Sequence, residues 1–169
     1  LTDLSEYTLE MINPYNNGMN SCFYGCKSLI HMGRIICKGS FQGLVSGCKE
    51  LTTIDELQLY RPIETVKEDG TISQNIIIYS TNAFLGCSKL TNITFTGETQ
   101  CGYQNNTQWQ VPPFSRESIL SLFNILSPAR IIAGMVTTIV INRNSYKLLS
   151  DADIAIATDK GWTIIQSAN

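Results

Sequence analysis

The sequence is poor in charge and in histidine. Of its 169 residues, 15% are Asp, Glu, Lys or Arg, and His31 is the single histidine. Globular proteins usually carry about a quarter of such charged residues. The net charge is −2, and Lys and Arg form no cluster with interleaved aromatic residues. These features argue against a nucleic-acid-binding protein.

A long hydrophobic run and a signal peptide are also missing. The longest apolar run, Ile131–Ile141, is too short to span a membrane, which takes about 20 residues. The chain begins with Leu1 rather than Met, and Leu1 to Leu4 fit the second half of the repeat described below. We interpret the chain as a trimmed piece whose targeting segment has been removed, so this absence does not count against secretion.

Patterns of catalytic residues are absent as well. A Ser-His-Asp or Cys-His hydrolase would have to use His31, and no nucleophile motif accompanies it. The acidic pairs Asp55-Glu56 and Glu68-Asp69 are typical of solvated faces or turns. We therefore predict no catalytic residue and no cofactor. The alternative, an enzyme built around His31 or the cysteines, requires a pocket that holds His31 beside a nucleophile or an acid.

A repeat is what the sequence does contain. Residues 22–29, 44–51 and 83–90 share the frame apolar-apolar-x-Gly-Cys-x-x-Leu, and another apolar residue follows three positions later. Units this short must stack on their neighbours to bury a core. We expect the Gly to end a helical turn in the left-handed conformation and the Cys to be a small buried side chain. Parallel strands are predicted at Met32–Cys37, Ile54–Leu59 and Ile93–Thr96.

The spacing of the repeats is uneven. The first two lie 22 residues apart, and the third follows after 39. An insertion or a degenerate unit is therefore expected between the second and the third. Within it, Glu68 to Thr71 carry a turn signal, which predicts a hairpin between Ile63–Val66 and Ile76–Tyr79.

The repeat frame resembles the BspA-like leucine-rich repeats of bacterial surface proteins. The resemblance is closest at Phe84–Ile93 and is clear at Phe23–Ile35 and Val45–Leu57. It implies an α/β fold, a leucine-rich-repeat solenoid with short parallel strands and helical turns, closed by a helix-rich C-terminal cap. We expect one domain over residues 1–169, with repeats over about residues 1–104 and the cap over about residues 105–169.

The C-terminal part contains recognisable start and stop signals. Ser115 is a good N-cap, and Ser150 with Asp153 resembles a capping box. Gly161 is the expected residue after the end of the second helix. The predicted elements are a helix from Ser115 through Leu126, a strand over Val136–Ile141, a helix from Ser150 to near Lys160 and a strand over Trp162–Ile165.

Half of the six cysteines occupy one repeat position, at Cys26, Cys48 and Cys87. Adjacent units would place them roughly 5 Å apart with parallel side chains, so we expect buried free thiols rather than disulfides. A zinc site is the competing interpretation, since Cys22 and Cys26 are followed by His31 and Cys37. That spacing has no second paired motif, and we predict no metal. The redox state of Cys22, Cys37 and Cys101 is left open.

Two surfaces are candidates for binding. One is the outward face of the predicted sheet, whose side chains are free of packing duty. The other is the amide-rich segment Gly97–Pro113, although Trp109 has an alternative role in filling a gap beside the third repeat. The candidate ligand-binding residues are Arg34, Asp55, Gln58, Thr94, Thr96, Tyr103 and Trp109.

The resemblance implies adhesion or host interaction. We expect a non-enzymatic, monomeric, secreted or cell-surface module that binds a protein or a glycan on a host or neighbouring cell. The alternative is a structural spacer or stalk segment with no ligand of its own. A binding module predicts a contiguous outward patch with exposed aromatic residues, whereas a spacer predicts a polar surface with every aromatic residue buried.

Overall fold

The structure is a computed structural model that describes residues 1–11, 19–39, 41–60, 64–66, 72–74, 82–99, 103–104, 112–128, 135–136 and 138–167. The described residues form strands and helices in the following order. They are β1 (Asp3–Glu10), β2 (His31–Cys37), β3 (Thr53–Leu59), β4 (Glu64–Val66), β5 (Ile72–Gln74), β6 (Asn92–Gly97), β7 (Tyr103–Gln104), α1 (Arg116–Ile125), β8 (Met135–Val136), β9 (Thr138–Ile141), α2 (Arg143–Tyr146), α3 (Asp151–Thr158) and β10 (Thr163–Gln166).

A four-stranded parallel sheet is the centre of the molecule. Its strand order is β1-β2-β3-β6, and equivalent repeat positions pair across it. Met32, Ile54 and Ile93 form one inward row, and all three are buried because each lies against its neighbour. The predicted α/β class and the three predicted strands are confirmed, each strand extending by a residue at its start.

The uneven repeat spacing reflects an insertion that leaves the sheet and returns to it. β3 pairs directly with β6, and none of the described residues between them adds a strand to this sheet. Within the insertion, β4 and β5 form an antiparallel pair in which Val66 lies opposite Ile72. The predicted hairpin is present, and the described part of its second strand is Ile72–Gln74. Residues 76–79, the predicted position of that strand, lie outside the described residues.

The Gly-Cys corners of the three repeats lie directly on one another. Gly25, Gly47 and Gly86 have φ values of +69°, +80° and +77°, which is the predicted left-handed conformation. A Cβ added to Gly47 would lie 3.4 Å from the Cα of Gly25, and one added to Gly86 would lie 3.6 Å from the Cα of Gly47. The three glycines therefore occupy adjacent turns, in register.

Hydrogen bonds join neighbouring corners in both directions. The N–H of Gly25 donates to the carbonyl of Ser46 at 2.7 Å. In the opposite direction, the thiol of Cys48 donates to the carbonyl of Phe23 at 3.0 Å. The next pair of corners repeats this arrangement, because the thiol of Cys87 donates to the carbonyl of Val45 at 3.0 Å. The thiols of Cys48 and Cys87 therefore each have an acceptor on the preceding turn, which offsets part of the cost of burying a polar group.

The repeat cysteines are free thiols, as predicted. Cys48 and Cys87 are buried, whereas Cys26 on the first turn is half-buried. Burial raises the pKa of Cys48 to about 11 and that of Cys87 to about 12, because a thiolate loses its hydration there. Cys22 and Cys37 are also free, and Cys101 lies outside the described residues.

Helix α1 covers the edge of the sheet at β6. Ser115 is its N-cap and accepts from the N–H of Ser118, as predicted. The hydroxyl of Ser118 accepts from the N–H of Ile93 at 2.9 Å, and the hydroxyl of Ser121 accepts from the N–H of Phe95 at 3.0 Å. Two serines on a helix thus occupy donors that would otherwise pair with a further strand.

The remaining C-terminal elements pack beyond α1. β9 and β10 form a parallel pair, and α3 begins with the predicted capping box of Ser150 and Asp153. Asp153 also receives two hydrogen bonds from Arg116, at 2.9 and 2.7 Å, which tie α3 to α1. Helix α3 ends at Thr158, two residues before the predicted end, and a turn continues to Gly161, whose φ is +86°.

Two predicted strands of this region have shifted boundaries. The run predicted over Val136–Ile141 contains β9 over Thr138–Ile141, while Met135 and Val136 form β8, which pairs with β7 instead. The last strand begins at Thr163 rather than Trp162. Trp162 is buried, and its indole N–H donates to the carbonyl of Ser127 at 2.8 Å. None of the described helices combines the length and apolar character needed to cross a membrane.

The close approach of β6 to β3 at Gly97 allows the register of these two strands to be tested by substitution. A Cβ on Gly97 would lie 2.0 Å from the carbonyl oxygen of Leu59, whereas one on Gly25 would meet nothing within 4 Å. Both glycines have positive φ, so alanine strains both by about 1 kcal/mol. We expect Gly97→Ala to lower the free energy of unfolding by about 1–3 kcal/mol more than Gly25→Ala in urea titrations, because β6 must move away from β3. Equal losses would contradict this register.

The raised pKa values of Cys48 and Cys87 predict that the free energy of unfolding decreases at alkaline pH. In the unfolded chain these thiols ionise near their ordinary pKa of 9.0, whereas the folded protein keeps them protonated up to about pH 11–12. The stabilisation is complete below pH 9 and is lost as the pH rises through the folded-state pKa. Per thiol the loss is at most about 1.4 kcal/mol per pH unit, an upper limit that solvent screening lowers.

Urea unfolding between about pH 8 and about pH 11 measures this dependence. The double variant Cys48→Ala/Cys87→Ala is the matched control, because every other titrating group remains in place. We expect its free energy of unfolding to fall less steeply with pH than that of the unaltered chain. Identical slopes would show that the two thiols ionise as easily when folded as when unfolded.

Candidate functional site

The outward face of the four-stranded sheet carries most of the predicted site residues. Arg34 on β2, Asp55 on β3 and Thr94 on β6 are exposed, while Gln58 and Thr96 are half-buried. They lie on this face because the residues between them, such as Ile35 and Leu57, point into the core.

A hydrogen-bonded line crosses three strands on this face. The hydroxyl of Thr96 donates to Oε1 of Glu56 at 2.6 Å, and the other carboxylate oxygen of Glu56 lies 2.8 Å from Nε of Arg34. Arg34 also donates through Nη2 to Oε1 of Gln58 at 2.6 Å. Three predicted residues are therefore brought together, with Glu56 as the centre that sequence reasoning did not select.

The line continues to the side chains just beyond the strand ends. Nε2 of Gln58 donates to the hydroxyl oxygen of Tyr60 at 2.8 Å. The ammonium group of Lys38 lies 5.8 Å from the centroid of the Tyr60 ring, within cation–π range, and donates to Oε1 of Glu10 at 2.7 Å. The hydrogen bond from Lys38 to Glu10 raises the pKa of Lys38. We call the whole set the outer-face network; its members are Glu10, Arg34, Lys38, Glu56, Gln58, Tyr60 and Thr96.

His31 forms a separate pair at the start of the strands. Its Nε2 lies 2.7 Å from Oδ1 of Asp55, and Asp3 is its register partner on β1. The pKa of Asp3 is lowered, chiefly because the backbone and side chain of Ser5 donate to its carboxylate, with a smaller contribution from the charge of His31. The acid that the enzyme alternative requires is thus present at Asp55. Within the described part of the chain, no hydrogen bond joins His31 to a Ser, Thr or Cys side chain.

The second predicted surface is described only in part. Tyr103 belongs to β7, whose partner is β8 in a separate two-stranded sheet. Trp109 lies outside the described residues. The sheet face therefore gathers five of the predicted residues, whereas Tyr103, the described candidate of the second surface, lies in a different sheet.

A simple signal identifies three of the four network members that sequence reasoning missed, namely Lys38, Glu56 and Tyr60. Residues 22 positions apart in the first two repeats are register partners, so Arg34 lies beside Glu56, and Ile36 beside Gln58. The same offset relates Lys38 to Tyr60. At this offset, the cation Arg34 is paired with the carboxylate of Glu56, and the cation Lys38 with the aromatic ring of Tyr60.

The described residues contain no group of three or more His, Cys, Asp or Glu side chains placed to hold a metal ion. Cys22, Cys26, His31 and Cys37, the members of the zinc alternative, are thus not assembled into such a group. Comparisons with protein-family models, with curated proteins and with solved structures find no match to this chain.

The network predicts that its central ion pair is stronger than an isolated one. Arg34 and Glu56 are each fixed by a further hydrogen bond, whereas Lys89 and Glu50 form a simple exposed pair at 2.6 Å. Double-mutant cycles with alanine should give a coupling energy of about 1 kcal/mol for Arg34 with Glu56 and at most about 0.5 kcal/mol for Lys89 with Glu50. The difference arises because side chains that are already ordered lose less entropy when they pair. A larger coupling for Lys89 with Glu50 would contradict the network.

Proposed function

We propose that this chain is a leucine-rich-repeat solenoid of the BspA-like type that acts as a non-enzymatic, secreted or cell-surface module. It binds a protein or a glycan on a host or neighbouring cell through the outer face of its parallel sheet. The observation that carries the proposal is the outer-face network, which spans all four strands with side chains already held in place.

The repeat geometry supports the solenoid part of the proposal. Successive units supply one Gly-Cys corner and one parallel strand each, and both are in register with the next unit. The inward residues form continuous buried rows, as expected where short units share one core. The C-terminal helix α1 closes the sheet at β6, which suits the role of a terminal cap.

The ordering of the outer side chains supports the binding part. Arginine, lysine and glutamine lose much rotamer freedom when a partner immobilises them, and hydrogen bonds among themselves reduce that loss beforehand. The hydroxyl oxygen of Tyr60 accepts from Gln58, so its own proton is available for an acceptor on a partner. Tyr7, Tyr24 and Tyr60 are exposed, whereas the spacer alternative predicts buried aromatic residues. Tyrosines of this kind are enriched at protein interfaces.

The spacer alternative has one observation in its favour. The polar groups of the network satisfy one another, and such a surface is stable in water without any ligand. An experiment that separates the two functions must therefore disturb the face without disturbing the fold.

Thr94→Tyr is a suitable variant, because Thr94 is an exposed residue in the middle of β6. Tyrosine suits a strand, and its ring would stand over the neighbouring face. Thr163→Tyr is the matched control, since Thr163 is also exposed and lies in β10 of the other parallel pair. Retention of each protein would be measured on an array of immobilised glycans and a panel of extracellular-matrix proteins.

We expect the unaltered chain and Thr163→Tyr to bind the same member of the array or panel, and Thr94→Tyr to bind at least about tenfold more weakly, as expected for a clash at the centre of an interface. Binding that is equal in all three proteins would move the site away from this face. If no member of either collection retains the unaltered chain, the spacer function is favoured.

A further inference from the structure

Negative charge on this protein is concentrated on the sheet. The strands β1, β2, β3 and β6, together with Lys38 at the end of β2, contain the carboxylates of Asp3, Glu6, Glu10, Asp55 and Glu56 and the cations Arg34 and Lys38. Five negative and two positive groups give −3 with His31 neutral, although the whole chain carries only −2. The rest of the chain therefore has a net charge of +1.

The two cations of this surface are already engaged. Arg34 bonds to Glu56 and Gln58, and Lys38 bonds to Glu10 and lies over Tyr60. An anionic partner, such as a sulfated or carboxylated glycan, would have to compete with these carboxylates for both cations. It would also approach a surface of its own sign.

The carboxylates of Asp3 and Asp55 are available to a partner. Asp55 uses Oδ1 for His31, and its side chain is 48% exposed. Asp3 accepts from the N–H of Ser5 through Oδ1 and also from the Ser5 side chain, and these bonds lower its pKa. An ionised carboxylate has about four lone-pair sites on its two oxygens, so each of the two can still accept from a charged donor. The two residues lie on either side of His31, at the end of the sheet where the strands begin.

We propose that the partner of this face is a polypeptide with a cationic surface, whose Lys or Arg side chains bind at Asp3 and Asp55. The proposal rests on the binding function proposed above and adds the chemistry of the partner. Lysine and arginine are the cations that a polypeptide supplies, whereas sugars are for the most part neutral or anionic. The carboxylates accelerate the encounter by electrostatic steering, and salt weakens it.

An oligolysine peptide is the probe, titrated into the isotope-labelled chain at low ionic strength while backbone amide resonances are followed. We expect the shifts to concentrate in β1, β2 and β3 and to diminish as salt is added. The variant Asp3→Asn/Asp55→Asn keeps an acceptor oxygen at both positions but removes both charges. We expect it to raise the dissociation constant about threefold to tenfold.

Asp151→Asn/Asp159→Asn is the control, because it changes the net charge equally on exposed residues at the two ends of α3. Its dissociation constant should stay within about twofold of that of the unaltered chain. Equal weakening by both double variants, or shifts centred on α3, would overturn the proposal. A neutral glucan or an oligoglutamate that shifts the sheet resonances more strongly than oligolysine would overturn it too, while leaving the binding function of the face intact.

Discussion

The two-way hydrogen bonding between successive Gly-Cys corners is the constraint on which the sheet and its outer face depend. One bond needs a backbone N–H at a glycine with positive φ, and the other needs a thiol that reaches the preceding turn. Together they fix both the distance between neighbouring turns and their register along the chain. The strands that follow therefore enter the sheet in one register, and residues 22 positions apart come side by side.

That register also explains why a long insertion is tolerated between the second and third units. The chain leaves after β3 and returns at the next corner, where Gly47 donates to the carbonyl of Leu85 at 2.7 Å. The hydrogen bond between these corners and the pairing of β3 with β6 restore the register of the repeats, whatever the length of the inserted segment. The loop-closure cost of additional residues rises only slowly with their number, so the insertion is a modest burden on stability.

Local chemistry made the strands, the left-handed glycines, the free thiols and the helix N-caps predictable, because each depends on residues close in the sequence. The outer-face network was predicted only in part. Strict alternation along β3 would turn either Asp55 or Glu56 inward, yet both lie on the accessible side between buried Ile54 and Leu57. An irregularity in the pairing of β3 with β6 between Ile54 and Leu57 makes this possible. Such irregularities depend on how two strands meet, which no single segment of sequence encodes.

Helix α1 blocks the outer edge of β6, where a further strand could otherwise pair. Parallel strands added one after another have no intrinsic stopping point, since the last always exposes unpaired amides. Here the hydroxyls of Ser118 and Ser121 take up two of those amides from β6, and they offer no row of backbone groups in return. The helix thereby ends the sheet at β6. It also prevents the β6 edge from pairing with strands of neighbouring molecules, which would lead to polymerisation.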